Sequence, residues 1–419
     1  MDIEELLGSF VRRLNRHATI FRDSGHGSLL PAGDASKRYL LYLHVPYCIS
    51  LCPFCSFHRV LFERNSSERY FESLRHEIEQ AADNAYSFDE VYVGGGTPTV
   101  LPDELVATIN TVRAKHPVVG VSVETNPDHL RPDELQVLRN AGVTRLSVGV
   151  QSFDDALLKS MRRFDNYGSG ADIADRLVSV RGMLDTINVD MIFNLPNQKE
   201  TSLQHDLDIL IDHVAADQVS FYPLMTSDST LSDMSRTMGP PDLSRQKGYY
   251  ELIVERMLAA GYCRSSAWCF SRKPGMFDEY IAEREEYVGL GSGAFSYLQG
   301  ALYANTFSIE GYMQILEDGM GGTVSRRKMS DQDQKRYYLL MRLFGGTLNK
   351  KQAEARFDDS FQHGLWPEIT ALKAINAVKD TGDSLILTER GYYLWVILMR
   401  DFFSEINTLR DQLRHATTQ

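Results

Sequence analysis

The chain has 419 residues, 43% hydrophobic and 24% charged, an ordinary globular composition with room for an enzyme-sized domain and an appendage. Its 44 basic and 56 acidic residues give a net charge of -12, which repels polyphosphate backbones and argues against a nucleic-acid reader. The N-terminus, MDIEELLGSFVRRLNRH, starts acidic and amphipathic, unlike a secretion signal, and the most apolar run, YYLWVILM at 392–399, is too short to span a bilayer. A cytoplasmic protein is expected, whose five cysteines point to a metal or to redox chemistry rather than to structural disulfides.

In chain order, residues 1–36 read as a helical extension. From 39 onward short β-branched runs alternate with amphipathic stretches, the pattern of parallel strands with crossover helices. Strands are predicted at 39–45, 88–95, 118–125, 144–152, 187–196 and 217–224, with helices in ERYFESLRHEIEQAADNA, PDELVATINTVRAKH, RPDELQVLRNAG and DIADRLVSVRGML. Both PDEL segments place Pro in a first turn followed by acids, as helix N-termini prefer. Residues 37–230 are therefore expected to form a partial (β/α)6 TIM-type barrel, with motifs at the C-terminal strand ends sharing one face. Residues 231–324, with a helix near 244–262 and the glycine-rich VGLGSGAFS, are expected to close the substrate side. Residues 325–419 read as mainly helical and winged-helix-like, a lid or docking module given the lack of a basic surface.

HVPYCISLCPFCSF at 44–57 places Cys48, Cys52 and Cys55 within eight residues, directly after the first strand. Three such thiols as packing hydrophobes would be a coincidence. A structural zinc site wants four ligands, and only the distant Cys263 and Cys269 remain to supply one; packing is the default for both. Three thiolates can instead ligate three irons of a cubane cluster and leave the fourth open. The C-x3-C-x2-C spacing is the signature of radical S-adenosylmethionine (SAM) enzymes.

The chain resembles, within that superfamily, the oxygen-independent coproporphyrinogen III oxidase group, which also holds haem chaperones and class C methyltransferases. The matching pieces are YLHVPYC, GGGTPT, VETNP, RLSVGVQSFD, MRR, NVDMIFNLP and VGLGSGAFS. The resemblance implies a [4Fe-4S] cluster on Cys48, Cys52 and Cys55, and SAM contacts from Gly94, Gly95, Gly96, Thr97, Glu124, Gln151, Arg163 and Asp190. It puts Phe54 near the adenine and Tyr42 near the cluster. Gly95, Thr97 and Ile192 match places where members hold a second SAM molecule.

Substrate is a separate question. Decarboxylating members carry a further cysteine where this chain has Phe57, and haem chaperones carry a histidine where it has Phe295 in Gly293-Ala294-Phe295. LCPFCSFHR and WVILMRDFF most resemble menaquinone C8-methyltransferases. That resemblance implies methylation of an sp2 ring carbon with two SAM molecules, a flavodoxin or ferredoxin as electron donor, and peripheral contact with the inner membrane face through the aromatic tail. The methyl group of the second SAM would lose a hydrogen, the resulting methylene radical would add to the ring carbon, and loss of S-adenosylhomocysteine with return of an electron and a proton would leave a new methyl group on the ring. A general base is required, and no residue is identified for it. The alternatives are a coproporphyrinogen III dehydrogenase-like enzyme of haem biosynthesis and a haem chaperone.

Overall fold

The computed structural model describes residues 22–28, 30–274 and 284–416. The expected N-terminal helix, 1–17, lies outside them. Six parallel strands form the centre: β1 (Tyr39–Val45), β2 (Phe88–Gly95), β3 (Gly120–Thr125), β4 (Arg145–Gln151), β5 (Thr186–Phe193) and β6 (Gln218–Pro223). They lie side by side in chain order, each parallel to the next, the order that successive crossovers of one hand produce. All seven residues of β1 are buried, as a parallel strand covered on both faces should be.

Five helices make the crossovers: α1 (Arg64–Asp83), α2 (Pro102–Lys115), α3 (Pro132–Ala141), α4 (Gly170–Ser179) and α5 (Glu200–Asp208). Their ends follow local chemistry. Pro opens α2 and α3 with Asp and Glu in the first turn, where orphan N–H groups favour negative charge. Gly142 closes α3 in the left-handed region at φ 101°. Ser169 and Asp172 form a reciprocal capping box on α4.

The sheet continues past the predicted six strands on both sides. After α6 (Gln246–Ala259), the short β7 (Cys269–Ser271) adds antiparallel to β6. On the other edge β8 (Tyr287–Leu290) pairs parallel with β1, and β9 (Phe295–Leu298), β10 (Ala301–Asn305) and β11 (Thr323–Lys328) follow as an antiparallel meander. VGLGSGAFS is thus a strand end, a turn and a second strand start, not a turn alone. Arg22–Ser28 pairs with β11 as a strand, so this part of the expected helical extension is extended instead.

The C-terminal part holds α7 (Asp331–Phe344), α8 (Trp366–Ala374), a three-stranded sheet of Thr347–Asn349, Ser384–Leu387 and Val378–Asp380, and α9 (Glu389–Ala416). Helices followed by a hairpin were expected here, and they are found. Leu394, Trp395, Val396, Ile397, Leu398 and Met399 are all buried. The apolar centre of the run that pointed to a membrane interface is thus core, while Tyr392, Tyr393, Phe402 and Phe403 are half-buried, and no described helix is long and apolar enough to cross a membrane. The far end of α9 instead contributes Leu409 to a small apolar cluster with Phe295, Ala304 and Phe307.

Candidate active site

The loop after β1 is drawn tight by backbone pairing of Tyr47–Cys48 with Val60–Leu61. Arg59 folds back over it, its guanidinium donating to the carbonyl oxygens of Cys52 and Cys55, both at 2.6 Å. Cys48, Cys52 and Cys55 are free thiols. Arg163 Nη1 donates to Cys52 Sγ at 3.4 Å and Thr97 Oγ1 to Cys48 Sγ at 3.6 Å. Burial pushes the Cys48 thiol up to about 12, so it stays protonated until a cation takes the proton's place.

Among the described residues, no three His, Cys, Asp or Glu side chains converge as a single metal ion requires. Cubane thiolates bind separate irons and need no such convergence. Cys263 is exposed and Cys269 is buried in β7, so neither stands beside the triad as a fourth zinc ligand. The donors around the three sulfurs, two of them guanidinium groups, fit a multi-iron cluster on thiolates.

Beside this loop, β2 ends in glycines that the packing demands. A Cβ on Gly96 would lie 2.6 Å from the Tyr47 carbonyl oxygen. Gly95 sits at φ 121°, where side chains are strained. Its N–H donates to Glu124 Oε2 at 2.9 Å, while Tyr92 donates to Oε1 at 3.0 Å. Burial raises the Glu124 carboxyl, and these two donors oppose the shift. Asp190, near the end of β5, accepts from Ser147 at 2.9 Å and Asn188 at 2.7 Å. Burial pushes it up to about 7, with the charge of Glu124 adding to the effect. The two carboxyls therefore face one electrostatic environment from different strands.

Arg163 is 3% exposed. Its Nη2 donates to Asn126 Oδ1 at 3.0 Å and to the Gly149 carbonyl, and its guanidinium lies 4.4 Å over the Tyr167 ring. Asn126 Nδ2 in turn donates to Thr97 Oγ1 at 2.8 Å, linking Arg163 to the cysteine loop. Arg163 Nε is buried without an acceptor, an orphan donor of the kind a bound carboxylate satisfies. Gln151 holds φ 76° at the end of β4, an uncommon conformation for a side-chain-bearing residue and one found near ligand sites. Phe54 is buried in the core, and Ile192 packs half-buried against it.

A histidine pair stands behind the glycines. His44 Nε2 faces the His58 carbonyl at 2.9 Å and so carries the proton, leaving Nδ1 to accept from Tyr42 at 2.9 Å. His58 stacks on His44 with centroids 5.6 Å apart. Its Nε2 meets Ser292 Oγ at 3.1 Å, whose own proton goes to Thr306 O at 2.8 Å. His58 Nε2 is therefore the donor, and Nδ1 keeps a lone pair that no described group satisfies. Burial lowers both imidazoles, His44 to about 4, so both are neutral at pH 7.

Cysteines, glycines, Glu124, Gln151, Arg163 and Asp190 thus gather at the C-terminal ends of β1 to β5. The model of the Radical SAM superfamily matches residues 42–210, the segment that carries all of them. A haem chaperone HemW from Mycobacterium tuberculosis is 30% identical over 290 residues, covering 66% of this chain and 74% of that protein. The chain belongs to the radical SAM superfamily. Within it the relatives put the chain in the coproporphyrinogen III oxidase-like group. An oxygen-independent coproporphyrinogen III oxidase from Cereibacter sphaeroides is 26% identical, covering 90% of this chain and 88% of that protein. The solved structure of the Escherichia coli coproporphyrinogen III oxidase HemN superposes with a TM-score of 0.74 at 19% identity, over 93% of this chain and 98% of that one, and shares its fold.

A radical SAM enzyme uses a [4Fe-4S] cluster and SAM, and the donor set described above fits both. The two curated relatives above are named a haem chaperone and a coproporphyrinogen III oxidase, so the preference for methyl transfer finds no support in their names. Sequence reading missed Asn126 and Arg59. Asn126 lies inside the quoted VETNP, and Arg59 four residues after the last cysteine was a visible signal. His58 and the α9 residues near the site gave none.

Proposed function

We propose that this chain is a radical SAM enzyme acting on a tetrapyrrole. The observation that carries the reading is the continuous chain Arg163–Asn126–Thr97–Cys48, with an orphan guanidinium donor beside three free thiols. Cys48, Cys52 and Cys55 would hold the cluster, which when bound supplies reductive cleavage of SAM to a hydrogen-abstracting radical. Arg59 and Arg163 balance the thiolate charge. The bare backbone of Gly94 to Gly96, with Thr97, admits the methionine end of SAM. Arg163 would take its carboxylate, and Glu124 its ammonium group. Gln151 and Asp190 line the remaining strand ends, Phe54 would offer a ring to the adenine, and Tyr42, hydrogen-bonded to His44, would stand beside the cluster. The tetrapyrrole class is supported by the names of the relatives, which are haem chaperones and coproporphyrinogen oxidases.

A second reading, C-methylation of a quinone ring such as menaquinone at C8, is favoured by Phe57. It stands 48% exposed where decarboxylating members carry a cysteine. Gly95, Thr97 and Ile192 would then hold a second SAM. Anaerobically reconstituted protein should form 5'-deoxyadenosine faster when coproporphyrinogen III is added. If a menaquinone precursor alone stimulates it, with S-adenosylhomocysteine as co-product, the tetrapyrrole reading is wrong and methyl transfer is right.

A further inference from the structure

Arg410, on α9, is 8% exposed, yet among the described residues no carboxylate lies within ion-pair distance of it. Its hydrogen-bond acceptor is Asn407 Oδ1 on its own helix, at 2.7 Å. Its guanidinium lies over two aromatic rings, 5.1 Å from Phe57 and 5.7 Å from Phe295. A buried cation without a counter-charge is costly unless a ligand supplies one. Phe57 follows the cysteine loop and Phe295 opens β9, so Arg410 bridges the cysteine loop and the added strands. Its charge is felt by Tyr42, His44, His58 and Glu124, so it lies within electrostatic reach of the site.

The same neighbourhood offers a flat ring both apolar contact and a hydrogen-bond acceptor. Phe307 stands edge-on to Phe295 at 6.1 Å and to His58 at 5.1 Å. His58 Nδ1 is the unsatisfied lone pair noted above. N–H donors on Arg410, an acceptor on His58 and the rings of Phe57, Phe295 and Phe307 in one neighbourhood are the chemistry that suits a planar macrocycle bearing carboxylates on its rim and N–H groups at its centre.

We propose that Arg410 is a specificity-determining residue that binds a side-chain carboxylate of the tetrapyrrole, with the ring against Phe57 and Phe295. This rests on the tetrapyrrole reading above. A planar guanidinium grips a carboxylate through two parallel hydrogen bonds, which an ester cannot accept with the same charge.

The test uses the full reconstituted chain with coproporphyrin III and its tetramethyl ester as probes, read by quenching of porphyrin fluorescence. Wild type should bind the free acid at least about tenfold more tightly than the ester. Arg410→Gln should erase that preference by weakening the acid alone, and Arg410→Lys should restore part of it. Iron content and SAM affinity report whether the variants remain folded. Equal affinity of wild type for acid and ester, or an undiminished preference in Arg410→Gln, overturns the role of Arg410 and leaves the tetrapyrrole reading standing. Binding of neither porphyrin by wild type overturns both.

Discussion

At the scale of single residues, Asp206 shows what burial does to a carboxyl that the fold uses structurally. It accepts from Ser152 Oγ at 2.9 Å and from the Phe153 N–H at 2.6 Å, fastening α5 to the segment after β4. Burial pushes it up to about 7 from an ordinary 3.8, so the folded chain holds this proton more tightly than the unfolded one. The resulting stabilisation is complete below about 4 and is lost as pH rises through about 7. Asp206→Asn keeps an acceptor for Phe153 but cannot ionise. The thermal midpoint of wild type relative to this variant should therefore fall between pH 4.5 and pH 8; a difference that stays constant with pH would remove Asp206 as its source. Residue identity also decides what could be read in advance. Glu124, Arg163 and the glycines sit in short motifs at or after strand ends, so their gathering on one face of the sheet was legible. The stacking of Arg410 on Phe57 and Phe295 was not, because those rings are distant in sequence and only the fold brings them together.

At the scale of elements, β1 to β6 were legible because parallel strands covered on both faces must be continuous apolar runs, a pattern with few alternatives. β8 was not, since Gly289 and the glycine turn after it break the strand pattern; its pairing with β1 comes from tertiary contact. YYLWVILM was ambiguous for a different reason. A helix apolar on most sides suits either a core or a bilayer surface, and only its neighbours decide. Trp395 settles the matter, at 1% exposure with its Nε1–H donated to Leu340 O at 2.9 Å on α7. Trp395→Ala removes a large buried ring and leaves that carbonyl without this donor, a cost of about 3–5 kcal/mol. Limited proteolysis should then cut the variant within the C-terminal part, after residue 330, before the barrel. Cleavage that begins in the barrel, or a digestion pattern identical to wild type, would show that α9 does not depend on this contact.

At the scale of the whole molecule, α9 connects two regions that the sheet keeps apart. Its 28 residues span about 42 Å. Glu389 at its start is bound by Arg264, beside β7. Towards its end Asp411 accepts from Ser229 Oγ at 2.8 Å, and Leu409, 3% exposed, packs with Phe295 and Phe307. One rigid element thus ties the C-terminal sheet to the mouth of the barrel, where a radical enzyme must keep water away from its intermediate. Leu409→Asp puts a carboxylate into that apolar cluster. An unpaired buried charge costs far more than the contacts of the last helical turns, so those turns should swing outward rather than bury it. The contacts that hold the cysteine loop and the glycine ends do not include Leu409, so the variant should still bind iron and cleave SAM. What it should lose is coupling: 5'-deoxyadenosine formed per ring substrate consumed should rise at least about tenfold. An unchanged ratio in a variant with normal iron content would mean that α9 seals nothing and serves the fold alone.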